Sequence, residues 1–340
     1  MKMLRLDSVV FPVPKEERDR LKALGFTEID EINGDTPEEI IEHGRDADMV
    51  MVTSNYLPRK VIEKLDNCKA IIRRGTGCDK IDIGTATERG IMVANLPAFA
   101  FTDVADHAML LMLALARHLP VIEKAIEQRD WSNIKKNVEH TRIYGKTLGV
   151  IGFGNIGKAV AKRALGFDMK VIDYHRHVHP EEEAAMGVVP VSLDTLIRES
   201  DFIVISCPQT SESKNMLGEK EFEKMKPTAY VINVGRGAVC DEKALAEAVK
   251  SGRIAGAGID VFEHLNMFGS PEGQGPCYYD GIPGIITTPH CAANTIESSK
   301  ESLDKSMEQI KLIIDGFFPT SCVNPEVFEK LKEKYKPYNN

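Results

Sequence analysis

Short apolar runs and amphipathic stretches alternate along the whole chain. The runs MVMVTS (49–54), AIIRRG (70–75), GIMVAN (90–95), TLGVIGFG (147–154), KVIDYH (170–175), FIVISC (202–207), AYVINV (229–234), AGAGID (255–260) and GIITTPH (284–290) read as short strands. Between most of them lie segments with helical spacing, such as PRKVIEKL and DEKALAEAVKSG. Strands that are apolar throughout belong to sheets covered on both faces. Their alternation with helices predicts an α/β fold of doubly wound, Rossmann-like parallel sheets.

Two segments read as long helices. FTDVADHAMLLMLALARHL (101–119) has Thr102 as a plausible N-cap, and TIESSKESLDKSMEQIKLIIDG (295–316) stops at Gly316. Each follows a stretch of small residues, NLPAFA and HCAANT. Such stretches suit crossovers between two domains, one built from both chain ends and one from the middle.

A length of 340 residues fits two domains. The formal charge of −8 argues against a nucleic-acid partner, which favours a basic surface. No apolar run is long enough for a membrane span, and the N-terminus does not read as a signal peptide. Seven irregularly spaced cysteines without a CxxC pair fit reduced thiols in the cytoplasm and no metal site.

VIGFGNIG places Gly152, Gly154 and Gly157 in a G-x-G-x-x-G pattern between a strand and a helix. The first glycine permits a tight turn. The second lets a pyrophosphate reach the backbone, beside the helix-start amides of Asn155 and Ile156. The third allows close helix–strand packing. A dinucleotide-binding fold usually carries an acid at the end of the next strand to hold the adenosine ribose. Here VIDYHRHVHP puts His175 at that place, followed by Arg176. Donors and positive charge suit a 2′-phosphate, so NADP(H) is favoured over NAD(H). Asp173 shares a strand face with His175 and is the alternative ribose partner.

These blocks together resemble the D-isomer-specific 2-hydroxyacid dehydrogenases, close to the phosphoglycerate dehydrogenase and hydroxypyruvate/glyoxylate reductase branches. The similarity also includes RRGTGCDKIDIGTATERGIMVANLPAF, DVADHAMLLMLALAR, MKPTAYVINVGRGAVCDEKALAEAV, AGAGIDVFE and TTPHCAANT. The resemblance implies two Rossmann-like domains with a cleft between them. Residues 1–98 and 294–340 would form the substrate domain and 99–293 the NAD(P)-binding domain. It also implies a homodimer formed through the region after the 101–119 helix, including Trp131.

Reducing a small 2-keto acid needs a cation on the carboxylate and ketone, a proton donor, and a nicotinamide against the carbonyl carbon. The resemblance assigns the cation to Arg236 and the proton to His290. The amides of Gly75, Thr76 and Gly77 would cradle the carboxylate, with Arg73 beside them. Pro208 and Val234 would line the cofactor wall, and Asp260 would lie near the nicotinamide. Thr53 stands where phosphoglycerate-using relatives place a phosphate-binding arginine. The family's third catalytic residue, a glutamate, falls on Leu265, so Glu263 or Glu272 is a possible substitute acid. Two other readings fit the scaffold. One is a dinucleotide-sensing regulatory protein, and the other is formate- or phosphite-type hydride transfer.

Overall fold

Apolar runs covered on both sides form two parallel sheets in the computed structural model, which describes residues 1–176, 180–269 and 274–338, the side chains at 133 and 137 set aside. The chain divides into two units, Met1–Phe99 with Thr295–Asn340, and Ala100–Asn294.

The first unit carries β1 (Lys2–Arg5), β2 (Glu28–Glu31), β3 (Met49–Val52), β4 (Ala70–Arg73) and β5 (Met92–Ala94), in the order β2-β1-β3-β4-β5. The second carries β6 (Thr147–Ile151), β7 (Lys170–Tyr174), β8 (Val188–Pro190), β9 (Phe202–Ile205), β10 (Tyr230–Asn233), β11 (Gly256–Ile259) and β12 (Ile285–Thr287). Their order, β12-β11-β10-β9-β6-β7-β8, reverses direction between β6 and β9. Open sheets of this kind bind ligands outside the carboxyl ends of the strands at such a switch point.

Alternation along each strand divides the second unit's core in two. Leu148, Val150, Phe202 and Val204 pack on the side of the helices Phe101–Ala116 and Asn155–Gly166. Ile151, Ile203, Ile205 and Leu245 pack on the other side. Each fully buried aliphatic side chain is worth about 1.5–3 kcal/mol, so covering both faces is why these strands read as continuous apolar runs.

All nine expected strands are present. Three more, β1, β2 and β8, lack an unbroken apolar signature. β2 reads EIDE and pairs with β1 on one side only; β8 is three residues long with Val189 exposed. The expected 101–119 helix is two helices. Phe101–Ala116 ends before His118, whose φ of +53° breaks the turn, and Leu119–Glu127 follows. Ala100, not Thr102, is the N-cap, and it makes no side-chain capping bond. The last long helix runs Ile296–Ile314. Thr295 caps it by accepting from the Ser298 amide, and Gly316 follows with a φ of +80°.

β1 escapes a hydrophobic reading because Arg5 is fully buried in it. Its guanidinium Nε donates to Glu17 Oε1 at 2.9 Å, and Arg74 Nη1 donates to Glu17 Oε2 at 2.9 Å. Glu17 is itself fully buried on the helix Lys15–Ala23. Burial lowers the Arg74 pKa, opposed by the Glu17 charge. A carboxylate shared by two buried guanidiniums is costly to remove, because both cations lose their counter-charge. Glu17→Ala should therefore destabilise the protein by about 3–5 kcal/mol, read as a lower urea midpoint. A shift below about 1 kcal/mol would show that water enters and solvates the arginines.

Candidate active site

β6 feeds the helix Asn155–Gly166 through the glycine turn, and each glycine has a separate steric reason. Gly152 has a φ of +95°, and a β-carbon there would stand 2.7 Å from the Cys207 amide nitrogen. A β-carbon on Gly157 would run into the Gly152 carbonyl. At Gly154 it would meet nothing within 4 Å. Gly154 is the N-cap and offers no side-chain cap, so the first helix amides, at Asn155 and Ile156, carry no side-chain capping bond among the described residues. A phosphate group fits there because helix-start amides carry partial positive charge and need acceptors. The turn is anchored by Gly152 N–H donating to Tyr174 O (2.9 Å) and by Ser206 Oγ donating to Gly152 O (2.7 Å). Pro208 follows after β9, its carbonyl accepting from Ser213 Oγ at 2.8 Å. Val234 is buried after β10.

The ribose position differs from expectation. The His175 side chain is mostly buried: its Nδ1 lies 2.6 Å from Asp173 Oδ2 and its Nε2 3.2 Å from Glu183 Oε1. Asp173 is fully buried and its Oδ2 faces His175 Nδ1. Arg176 projects outward, two-thirds exposed, and pairs with the exposed Glu212 at 3.1 Å.

Three further residues sit at the carboxyl ends of β10, β11 and β12, the same edge as the glycine turn because the sheet is parallel. Asn233 Nδ2 donates to the Arg236 carbonyl at 3.0 Å, and its Oδ1 accepts from the Gly235 amide at 3.1 Å. Arg236 Nη1 donates to Gly235 O at 2.8 Å. Asp260 follows β11 and is almost fully buried. Its carboxylate accepts from Thr288 Oγ1 (2.6 Å), the Cys291 amide (3.0 Å) and the Ala292 amide (3.1 Å). These bonds bracket His290, which is exposed and holds a left-handed φ of +54°. The His290 amide donates back to Thr288 O at 2.9 Å, and the Phe268 ring lies 4.8 Å from the imidazole. His107, from the helix Phe101–Ala116, places Nε2 2.9 Å from Thr288 Oγ1. Left-handed backbone is costly for a side chain as bulky as histidine and persists only where surrounding bonds over-determine it.

Leu265 is half-buried. The Glu263 carboxylate pairs with Lys214 at 3.2 Å. Glu272 lies outside the described residues. Cys240 is fully buried and its thiol pKa is pushed up by burial; burial also raises Cys291. Both behave as small fillers.

In the first unit, Arg73 ends β4 and its Nε donates to Gly77 O at 2.9 Å. The Gly75 amide donates to Arg73 O at 2.9 Å, so it is spent inside the turn. Among the described residues the Thr76 and Gly77 amides meet no acceptor. Leu96 and Asn95 brace the turn through Leu96 N–H to Gly75 O (3.0 Å) and Asn95 Nδ2 to Thr76 O (2.7 Å).

Residues 109–292 match the family model described as the NAD binding domain of D-isomer specific 2-hydroxyacid dehydrogenases. The chain belongs to that family. It is 38% identical over 333 residues to D-3-phosphoglycerate dehydrogenase of Methanocaldococcus jannaschii, covering 97% of this chain but only 62% of that protein. It is 34% identical over 302 residues to glyoxylate reductase of Pyrococcus furiosus, covering 86% of this chain and 87% of that one. The structure of D-lactate dehydrogenase from Aquifex aeolicus, complexed with NAD and lactic acid, superposes with a TM-score of 0.83 at 28% identity, covering 97% and 98% of the two chains. The NAD-binding family match supports a nicotinamide cofactor for this chain.

The residues that sequence reading did not single out are His107, Thr288 and Glu183. The first two lie inside quoted motif blocks, but nothing in their spacing shows that they touch. Glu183 stands in an acidic run, EEE, that reads as solvated surface.

The glycine geometry separates two substitutions. Gly154→Ala has room and an ordinary backbone angle, so stability should hold while dinucleotide binding weakens at least about ten-fold, one lost backbone–phosphate contact. Gly157→Ala should destabilise the protein by about 1–3 kcal/mol through overpacking. Thermal unfolding and a dinucleotide titration measure both. Unchanged binding in Gly154→Ala would place the phosphates elsewhere.

Proposed function

We propose that the protein is a nicotinamide-dependent reductase of small 2-keto acids, and in the reverse direction a dehydrogenase of D-2-hydroxy acids. The observation that carries this reading is that Arg236 and His290 leave strand ends on the same edge as the glycine turn. The dinucleotide, when bound, supplies or accepts the hydride. Arg236 grips the substrate carboxylate and polarises the ketone with its planar fork. His290 delivers a proton to the ketone oxygen during reduction and takes one from the hydroxyl during oxidation. Asp260 holds the His290 turn in place through the bonds on either side of it. The Thr76 and Gly77 amides, next to Arg73, are a nest for an anion such as a carboxylate. The substrate domain would comprise residues 1–98 and 294–340, and the cofactor domain 99–293.

The reaction test is oxidation of NADPH and of NADH against glyoxylate, hydroxypyruvate, pyruvate and bulkier 2-keto acids. Arg236→Lys and His290→Gln should each lower kcat by roughly 10²–10⁴-fold while dinucleotide binding survives. Near-normal turnover in either variant would refute the role given to that residue. No turnover of any keto acid by the wild type would favour a dinucleotide-sensing protein.

The cofactor preference proposed is NADP(H) over NAD(H), although the Aquifex relative was solved with NAD. It rests on Arg176, whose surface pairing with Glu212 is weak enough to yield to a phosphate dianion. Arg176→Ala should raise the Michaelis constant for NADPH roughly ten- to a hundred-fold, the worth of about 1.5–3 kcal/mol, with little effect on NADH. Equal effects on both cofactors would remove Arg176 from the phosphate.

A homodimer is proposed through the segment after the helix Phe101–Ala116. Leu119, Val121, Ile126 and Trp131 are all exposed there, as is Leu110 of the helix itself, and exposed apolar side chains grouped in this way mark an interaction surface. Trp131→Asp should shift sedimentation from dimer to monomer. A wild-type monomer at micromolar concentration would end this proposal. Among the described residues no helix is long and apolar enough to cross a membrane. The seven cysteines are free thiols, which supports a reducing compartment such as the cytoplasm.

A further inference from the structure

The cluster of Asp173, His175 and Glu183 lies beside the ribose position, and the proposed reaction makes no use of it. Asp173 and His175 share a face at the end of β7. Glu183 reaches them from the helix Pro180–Met186. Both carboxylates are fully buried, and the imidazole stands between them. The Nδ1 contact with Asp173 is short and direct. The Nε2 contact with Glu183 is at ion-pair distance but bent away from hydrogen-bond alignment. The Glu183 helix is itself tied down, since the neighbouring Glu182 pairs with Lys158 of the glycine-turn helix at 2.6 Å. Phe153 of the glycine turn lies 5.8 Å from the imidazole, ring centre to ring centre.

Two buried carboxylates this close repel each other and have lost their hydration. Burial, followed by the Glu183 charge, pushes the Asp173 pKa up against the opposing His175 bond. The imidazole is the group that relieves both carboxylates. Its two nitrogens face opposite ways, one to each acid. The three groups therefore form a bridge and do not converge as donors on one central point, although their atoms lie within 4.8 Å of one another. The arrangement suits a bridging ring better than a metal ion.

We propose that Glu183 is a specificity-determining residue. By holding the His175 imidazole inward against Asp173, it withholds that ring from the cofactor's 2′ position and leaves discrimination between the two dinucleotides to Arg176. The inference rests on the dinucleotide reading above. In its terms, position 175 neither repels a 2′-phosphate as an acid would nor binds it as a free imidazole would. Glu183 acts only through His175 and is a positioning residue.

The test is a double-mutant cycle on the purified full chain, titrating NADPH and NADH separately and following thermal unfolding. Glu183→Ala leaves the ring anchored to Asp173 through Nδ1 but frees Nε2 for the 2′ position, and should improve NADPH affinity relative to NADH by roughly three- to ten-fold, one added hydrogen bond to a charged group. His175→Gln alone should leave the NADPH-to-NADH ratio within about two-fold, and the double variant should lose the gain. A tenfold loss of NADPH affinity in His175→Gln would overturn the proposal, because the ring would already be on the phosphate. An unchanged ratio in a folded Glu183→Ala, or equal weakening of both cofactors, would also overturn it. If Glu183→Ala does not fold, the His175→Gln ratio decides alone. Arg176→Ala separates this inference from its foundation: if it alters neither cofactor, the 2′ site itself is misplaced.

Discussion

A β-carbon on Gly157 would strike the Gly152 carbonyl, and one on Gly152 would strike the Cys207 backbone. This three-way approach of backbone to backbone is the constraint on which the second unit depends. It brings the start of the helix Asn155–Gly166 directly over the point where the sheet reverses direction. The helix start there has no side-chain cap, and a β-carbon on Gly154 would meet nothing within 4 Å. Gly235 packs against the same segment: its β-carbon would lie 2.8 Å from the Cys207 carbonyl. The Arg236 turn and the glycine turn are thus seated on one piece of backbone, the strand end at 205–207.

A buried carboxylate organises the opposite side of that edge. Asp260 accepts two amides and one hydroxyl from residues 288–292, and these bonds hold the left-handed backbone of His290. An isolated buried acid is expensive. One saturated with donors is stable, and it transmits its rigidity to whatever the donors flank. His107 adds a brace from a helix on one face of the sheet. The result is an exposed imidazole on a backbone turn held by bonds on both sides.

Both units place further charges inside. Glu17 is shared by Arg5 and Arg74, and His175 is shared by Asp173 and Glu183. In the first case the Glu17 carboxylate bridges two guanidiniums of charge opposite to its own, and in the second an imidazole stands between two carboxylates. Such clusters are weak sources of stability compared with apolar packing, but they tolerate few alternative arrangements. The clusters lie at the carboxyl ends of β1 and β7, next to the regions where ligands are expected in open α/β sheets.

Several features were legible in the residues themselves. Nine apolar runs became strands because strands buried on both faces leave no choice of polarity. The glycine spacing announced its turn because each position excludes a β-carbon or requires open space. Motif blocks point to Arg236 and His290, and both residues lie just past strand ends. β1 was hidden because the carboxylate that makes Arg5 acceptable inside, Glu17, is 12 positions away on a helix, a distance that no strand pattern records. The direction of the His175 ring was hidden for the same reason. Charge at 175–176 suggests a pair of phosphate ligands; His175 is mostly buried with Glu183 3.2 Å from its Nε2, while Arg176 is exposed. Local sequence determined which segments are strands, turns and helix starts, because those choices depend on neighbours along the chain. Tertiary structure alone decided which charges are buried and which face outward, because that depends on partners the fold brings together.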